Sequence, residues 1–140
     1  MNIVNINDVG FKDTDTYKNF MKDNPTNGCL KIRASLANEA LPISNMNILI
    51  TKDIDEYRIV FFEGKTDESG MINNINLPTP ARTENDEIAP NFTTYDITAT
   101  YAPENLDKVY NVSLCCSSCL VQYINVVPNT NLELEDNNGN

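Results

Sequence analysis

Gly28-Cys29-Leu30-Lys31-Ile32-Arg33-Ala34-Ser35-Leu36 is the most telling stretch of this chain. Leu30, Ile32, Ala34 and Leu36 fall on one side of an extended backbone, and Lys31, Arg33 and Ser35 fall on the other. Side chains on a strand alternate between faces, so this period of two predicts a half-buried β-strand. The pattern recurs downstream. Met46, Ile48 and Ile50 share a face, with Asn45 and Asn47 opposite. Tyr57, Ile59 and Phe61 interleave with Arg58, Val60 and Phe62, and with both faces apolar this strand is expected to be central. Thr66-Asp67-Glu68-Ser69-Gly70 reads as a turn. Ile72–Leu77 follows as a strand, which Pro78 and Pro80 are expected to end because neither can donate to a ladder. After an acidic, Asn-rich loop over 81–91, Tyr95, Ile97, Ala99 and Tyr101 alternate again, and Val109–Leu114 and Leu120–Val127 complete the set. Seven short strands without a long helix predict an all-β chain folded as an antiparallel β-sandwich.

Outside this block, residues 1–27 form an N-terminal arm. Tyr17, Phe20 and Met21 are spaced i, i+3, i+4 behind Asp13 or Thr14, which predicts a short helix. Residues 129–140 are acidic and Asn-rich, and a disordered tail is expected there. The chain divides as 1–27 arm, 28–128 sandwich and 129–140 tail.

Composition narrows the function. Among 140 residues there is no His and no Trp, and the formal charge is -10. Without His there is no His-dependent triad and no imidazole zinc ligand, and the usual general base at neutral pH is missing. No Gly-rich phosphate loop or cofactor motif is present, so neither an enzyme nor a cofactor is expected. The acidic balance argues against nucleic acid and anionic membranes. No apolar run approaches a membrane span, so no membrane insertion is expected. Residues 1–10 show no signal-peptide pattern, which predicts synthesis in the cytoplasm. Two glycosylation sequons, at Asn91 and Asn111, are read as chance matches in an Asn-rich chain.

Several segments together resemble a known family. Gly28–Ala34 continuing to Ala40-Leu41-Pro42-Ile43-Ser44-Asn45-Met46-Asn47-Ile48-Leu49-Ile50 resembles the G-x-L-x-V … P-I-x-N-A-x-V-x-I opening of carboxypeptidase regulatory-like domains. Thr66–Gly70 is similar to the T-D-x-x-G turn of that family. Asn76-Leu77-Pro78-Thr79-Pro80 is similar to its L-P-x-P, and Tyr95-Asp96-Ile97 to its Y-D-I strand. Val121–Pro128 resembles the closing strand. The resemblance covers 28–128 and implies a seven-stranded, transthyretin-like Greek-key sandwich, similar to modules of clostridial spore and cell-wall proteins. Two segments depart from the pattern, Tyr101-Ala102-Pro103-Glu104-Asn105 and Cys115-Cys116-Ser117-Ser118-Cys119.

The cysteines are the sharpest local feature. A closed zinc site would need all of Cys29, Cys115, Cys116 and Cys119, so no metal is expected there. On a strand the adjacent Cys115 and Cys116 would point to opposite faces, so they are not expected to pair with each other. One could bond Cys29 or Cys119 while another links a second subunit; free thiols in a reducing cytosol are the alternative. Asp53, Asp55 and Glu56 are weak calcium candidates, with Glu84, Asp86 and Glu87 a second acidic group, and the default for both is solvated loop charge. Asp13 and Asp15 begin like a calcium loop but lack its Gly and closing Glu. Phe92, Tyr95 and Tyr101 are weak candidates for a sugar-binding cluster, with core packing the default for the two tyrosines. Lys31 should face outward by parity, so no internal isopeptide bond is expected.

The resulting expectation is a non-enzymatic structural or interaction module, associated through the resemblance with the bacterial spore or cell envelope and deposited on the spore or cell surface. One alternative is a self-assembling surface or spore-appendage subunit cross-linked through cysteines, with the arm pairing to a neighbour's sheet edge. A third reading is an accessory glycan- or peptidoglycan-binding module. Partners would be a protein or a second copy, with cell-wall contact.

Overall fold

A computed structural model describes residues 1–36, 41–82 and 91–128. Nine strands, two short α-helices and a 3-10 turn over Ala102–Glu104 occur among them. In chain order the strands and α-helices are β1 (Asn2–Asn5), α1 (Val9–Lys12), α2 (Asp15–Asp23), β2 (Thr26–Leu36), β3 (Leu41–Pro42), β4 (Asn47–Ile54), β5 (Tyr57–Lys65), β6 (Met71–Thr79), β7 (Thr93–Tyr101), β8 (Leu106–Leu114) and β9 (Cys119–Val126). The expected seven strands are β2 and β4 to β9.

They form two sheets. One has the order β1-β5-β4-β7-β8; the other centres on β2, flanked by β6 and β3 on one side and β9 on the other. The side is set by the ladder: Ser35 and Leu36 pair with Asn125 and Val126 of β9 and also with Pro42 and Leu41 of β3, so β3 must continue the β6 edge. The inner faces meet through Leu30, Ile32, Ala34, Ile75, Leu77, Ile124 and Val126 of one sheet and Ile48, Ile50, Tyr95, Ile97, Ala99, Val112 and Leu114 of the other, all buried. This is the two-layer arrangement that strands with one apolar face require.

Two expectations are corrected and a third is refined. The sheets are not wholly antiparallel, because β1 pairs parallel to β5 and β9 parallel to β2. A parallel neighbour needs a crossover rather than a hairpin, and the path from one sheet to the other supplies it. Pro78 does not end its strand but sits inside β6, opposite Asn27. An edge strand tolerates proline because the missing donor would have faced outward. β5 is an inner strand, as its two apolar faces suggested, but a bulge contributes: Ile50 pairs with Phe62 and Thr51 with Val60, leaving Phe61 unpaired.

The arm docks on its own chain. The Thr14 hydroxyl caps α2, accepting from the Tyr17 N–H at 3.2 Å. The helix then points Phe20 into the core, where it meets Phe61 (centroids 5.5 Å apart), which in turn meets Tyr95 edge-on at 4.9 Å. Phe11, also buried, packs against Tyr17 and Tyr57. Burial of two phenylalanines and the β1 ladder hold the arm on its own chain. The tail expectation and the acidic group Glu84, Asp86 and Glu87 lie outside the described residues.

The turn at 66–70 locks the two sheets together. Thr66, 3% exposed, donates to the Ile43 carbonyl at 2.6 Å and accepts from the Met46 N–H at 3.0 Å. The Asp67 carboxylate accepts from the N–H groups of Ser69 and Met71, both at 2.9 Å. Gly70 has φ +75°, and a Cβ there would lie 2.4 Å from the Ala34 carbonyl oxygen. Glycine is therefore required twice, by conformation and by space.

Candidate functional site

Helix α2 lies across the end of β4 and the start of β7, and the gap between them is a groove of about 480 Å³. Thr16, Asn19, Asp23 and Phe20 line it from the helix; Lys52, Ile54, Asp55, Phe92 and Thr93 line it from the sheet side. Much of the polar lining is engaged locally. The Thr16 hydroxyl donates to Asp55 at 2.7 Å, and the buried Asn24 amide donates to the Phe20 carbonyl at 2.9 Å while its oxygen accepts from Thr93. Lys52 donates to the Thr94 carbonyl at 2.8 Å, and its ammonium sits 5.9 Å from the centre of the Tyr95 ring. Partial burial pulls the Lys52 pKa below its usual value, and the Asp96 charge opposes that pull. The arrangement can accept a polar ligand against one aromatic face, because Phe92 is 58% exposed.

The expected aromatic cluster is not assembled. Phe92 lines the groove, but Tyr95 is 1% exposed beneath it and donates to the Pro78 carbonyl at 2.5 Å. Burial raises its pKa. Tyr101 lies at the far end of β7, six positions along, roughly 20 Å away at about 3.3 Å per residue. Parity placed both tyrosines on one strand face, but distance along the strand keeps them apart.

The calcium candidates are likewise separated. Asp53 is held by Arg58 through two bonds of 2.8 and 3.0 Å. The hydrogen bond from Arg58 is the main reason its pKa falls below the usual carboxylate value. Asp55 turns to Thr16. Among the described residues no group of three His, Cys, Asp or Glu side chains could hold a metal. Lys31 lies on β2 opposite Val121, half-buried, on the face away from Leu30 and Ile32.

The cysteines form two bonds within the chain. Cys29 pairs with Cys119, its register partner across the β2–β9 ladder, over a sequence separation of 90. Cys115 pairs with Cys116, against the expectation. The expectation assumed strand geometry, but both residues follow the end of β8, and Cys116 and Ser117 have φ of +41° and +69°. This left-handed backbone turns the second side chain back toward the first. The turn closes through Ser118 N–H to the Cys115 carbonyl and Cys29 N–H to the Ser118 carbonyl, both at 2.8 Å. Cys115 and Cys116 are buried at 5% and 4% exposure, so neither faces outward to a second subunit. The groove wall from α2 and the Thr66 tie were not singled out from sequence. The amphipathic spacing of Tyr17, Phe20 and Met21 was the available signal for the wall.

No protein-family model matches the sequence, and no curated protein matches it. Among solved structures, the chain is similar to the 5-hydroxyisourate hydrolase of Klebsiella pneumoniae, with a TM-score of 0.52 and 11% identity, over 72% of this chain and 90% of that one. At that identity the likeness is one of fold, and the chain therefore has the transthyretin-like sandwich fold.

Proposed function

We propose that this protein is a non-enzymatic interaction module that works in an oxidising setting on the bacterial spore or cell envelope. The observation that carries the reading is the pairing of all four cysteines within the chain. Structural disulfides persist outside the reducing cytosol, and Cys29–Cys119 ties the central strand of one sheet to the last strand. The resemblance of residues 28–128 to carboxypeptidase regulatory-like modules of clostridial spore proteins supports the same setting. The groove supports binding more than catalysis, since Thr16, Asn24, Lys52 and Thr93 are spent on local bonds. Cross-linking of subunits through cysteine would require one of the two disulfides to open first.

The test is fractionation of sporulating cells, alkylation of free thiols and intact-mass measurement. The expected result is protein in the spore or envelope fraction with no alkylated cysteine. A cytosolic protein carrying four alkylated cysteines would sink the reading.

One observation favours a glycan-binding form of this module. Phe92 stands exposed beside Asn19 and Asp23 of the groove, an aromatic face next to amide and carboxylate groups that suit hydroxyl recognition. Calorimetric titration with peptidoglycan fragments should show binding that Phe92→Ala abolishes; no heat with any fragment would exclude it.

A further inference from the structure

The turn between β8 and β9 holds two adjacent residues in a backbone conformation that neither residue type favours. Among the described residues, the non-glycine positions with positive φ are Asn45, Asp55, Asn74, Asn105, Cys116 and Ser117. Asn and Asp tolerate the left-handed region because a short polar side chain can bond locally. Cys116 and Ser117 have no such excuse, and they lie side by side. The Ser118 N–H closes onto the Cys115 carbonyl, so Cys116 and Ser117 are the central pair of a four-residue turn. With φ positive at both, these are positions usually held by Asn and Gly. The Cys115–Cys116 bond joins the first residue of this turn to the second. The turn is seated on β2 by the Cys29 N–H, which donates to the Ser118 carbonyl, and a Cβ on Gly28 would lie 3.3 Å from that same oxygen.

The two disulfides meet an external thiol on different terms. Cys29–Cys119 spans a sequence separation of 90, and Cys115–Cys116 a separation of 1. Linkage is reciprocal: a bond that favours the folded chain is itself favoured by folding to the same degree. Loop entropy therefore protects the first bond more than the second, by roughly several hundredfold in the equilibrium with a dithiol. Exposure runs the other way, because Cys119 is exposed whereas Cys115 and Cys116 are buried. A thiolate reaches Cys119 first. The Cys29 thiolate that it displaces stays beside the mixed disulfide, held by the ladder that runs from Cys29–Cys119 to Leu36–Val126, and expels the intruder. Cys115 and Cys116 lie outside β8, β9 and the hydrophobic core cluster. Opening of the turn alone is enough to uncover them.

We propose that Cys115–Cys116 is a redox site, opened by a dithiol while Cys29–Cys119 stays closed, and that its opening releases the turn from the start of β9. One thiolate of the dithiol attacks a sulfur of the pair and displaces the other as a thiolate. The second thiolate of the dithiol then attacks the mixed disulfide and displaces the remaining cysteine. The dithiol leaves oxidised to a disulfide; its two electrons and two protons end on Cys115 and Cys116 as thiols. With the bond gone, Cys116 and Ser117 are free to return to negative φ. The bonds from Ser118 to Cys115 and from Cys29 to Ser118 are lost with the turn that supports them. This turn carries the chain from β8 in one sheet to β9 beside β2 in the other, so the redox change is read as a change in how β9 is joined to the sandwich. The inference goes beyond the interaction-module reading and takes from it the oxidised starting state.

The test equilibrates the full, oxidised chain in buffers of dithiothreitol and its oxidised form, traps thiols with N-ethylmaleimide, maps them by mass and follows amide exchange by NMR. Cys115 and Cys116 should be labelled at a dithiol ratio roughly several hundredfold below the one that labels Cys29 and Cys119. In that state the Ser118 and Cys29 amides should exchange about tenfold faster or more. The Ala34 amide, bonded to the Gly70 carbonyl, should be unchanged. Cys115→Ala combined with Cys116→Ala, kept oxidised at Cys29–Cys119, should show the same fast exchange without any dithiol. If that variant does not fold, the partly reduced natural chain decides alone. Opening of both pairs at one ratio, opening of Cys29–Cys119 first, or unchanged Ser118 and Cys29 amides once Cys115 and Cys116 are labelled each overturn the proposal. The chain is oxidised in vitro before the titration. Free thiols in the chain taken from cells therefore defeat the oxidising-setting reading alone, and a failed titration defeats this inference alone.

Discussion

Removal of the Cys29–Cys119 bond by changing both residues to alanine is the most quantitative test of how this sandwich is held. The bond closes a loop of 90 residues. A cross-link lowers the entropy of the unfolded chain by a constant plus a term in the logarithm of loop length, which gives about 4.6 kcal/mol at 25 °C for this separation. Neither site adds a large packing loss, since Cys29 is half-buried and Cys119 exposed. Cys115–Cys116 spans adjacent residues; the same relation assigns it about 1 kcal/mol. The two double variants should therefore separate clearly. In urea, the Cys29→Ala/Cys119→Ala chain should lose roughly 2 M in midpoint at an ordinary slope, and its Tm should fall by roughly 15–20 °C. The Cys115→Ala/Cys116→Ala chain should move much less. Reductant added to the natural protein should reproduce the sum of the two. A loss below about 1 kcal/mol for the Cys29–Cys119 pair, or a larger loss for the adjacent pair, would refute the loop-entropy reasoning.

Three further outcomes follow from particular contacts. Gly70→Ala must place a Cβ against the Ala34 carbonyl oxygen at φ +75°, and should cost about 2–3 kcal/mol in chemical denaturation; an unchanged midpoint would mean the turn relaxes. Phe20→Ala should cost about 3 kcal/mol, and limited proteolysis should then cut within residues 1–25, which the docked arm otherwise protects. Burial raises the Tyr95 pKa in the folded state, so its contribution is intact below the unfolded value of about 10 and declines as pH rises beyond it. Tyr95→Phe should therefore lose less stability than the natural chain between neutral and strongly alkaline pH, and equal slopes would show that Tyr95 does not report the fold.

The sandwich was legible because its evidence is local. Leu30, Ile32, Ala34 and Leu36 must share a face in any extended backbone, and the same holds for Ile48 and Ile50 and for Tyr95, Ile97 and Ala99. The turn at Thr66–Gly70 was legible for the same reason, since its glycine is demanded by a local φ. Neither cysteine pairing was legible. Cys29 and Cys119 become neighbours through strand register, and Cys115 and Cys116 pair because of a left-handed turn that no alternation pattern reports. The aromatic candidates failed as a set because parity says which face a residue takes and nothing about how far apart two residues lie along it.

The site was less legible than the fold. The groove exists because α2 returns across β4 and β7, and the spacing of Tyr17, Phe20 and Met21 shows only that a helix there has an apolar side. Where that side docks depends on Phe61, which a bulge leaves out of the ladder between β4 and β5. The sequence by itself determined what lies within a few bonds of each residue: strands, the capped helix, the glycine turn and an uncharged run from Val109 to Leu132. Only the tertiary structure decided which strands became neighbours, that the arm packs on its own chain, and that the uncharged run supplies the strand parallel to β2. The physical reason is that side-chain alternation and capping are set by local backbone geometry, whereas pairing and edge exposure depend on contacts between residues far apart in the chain.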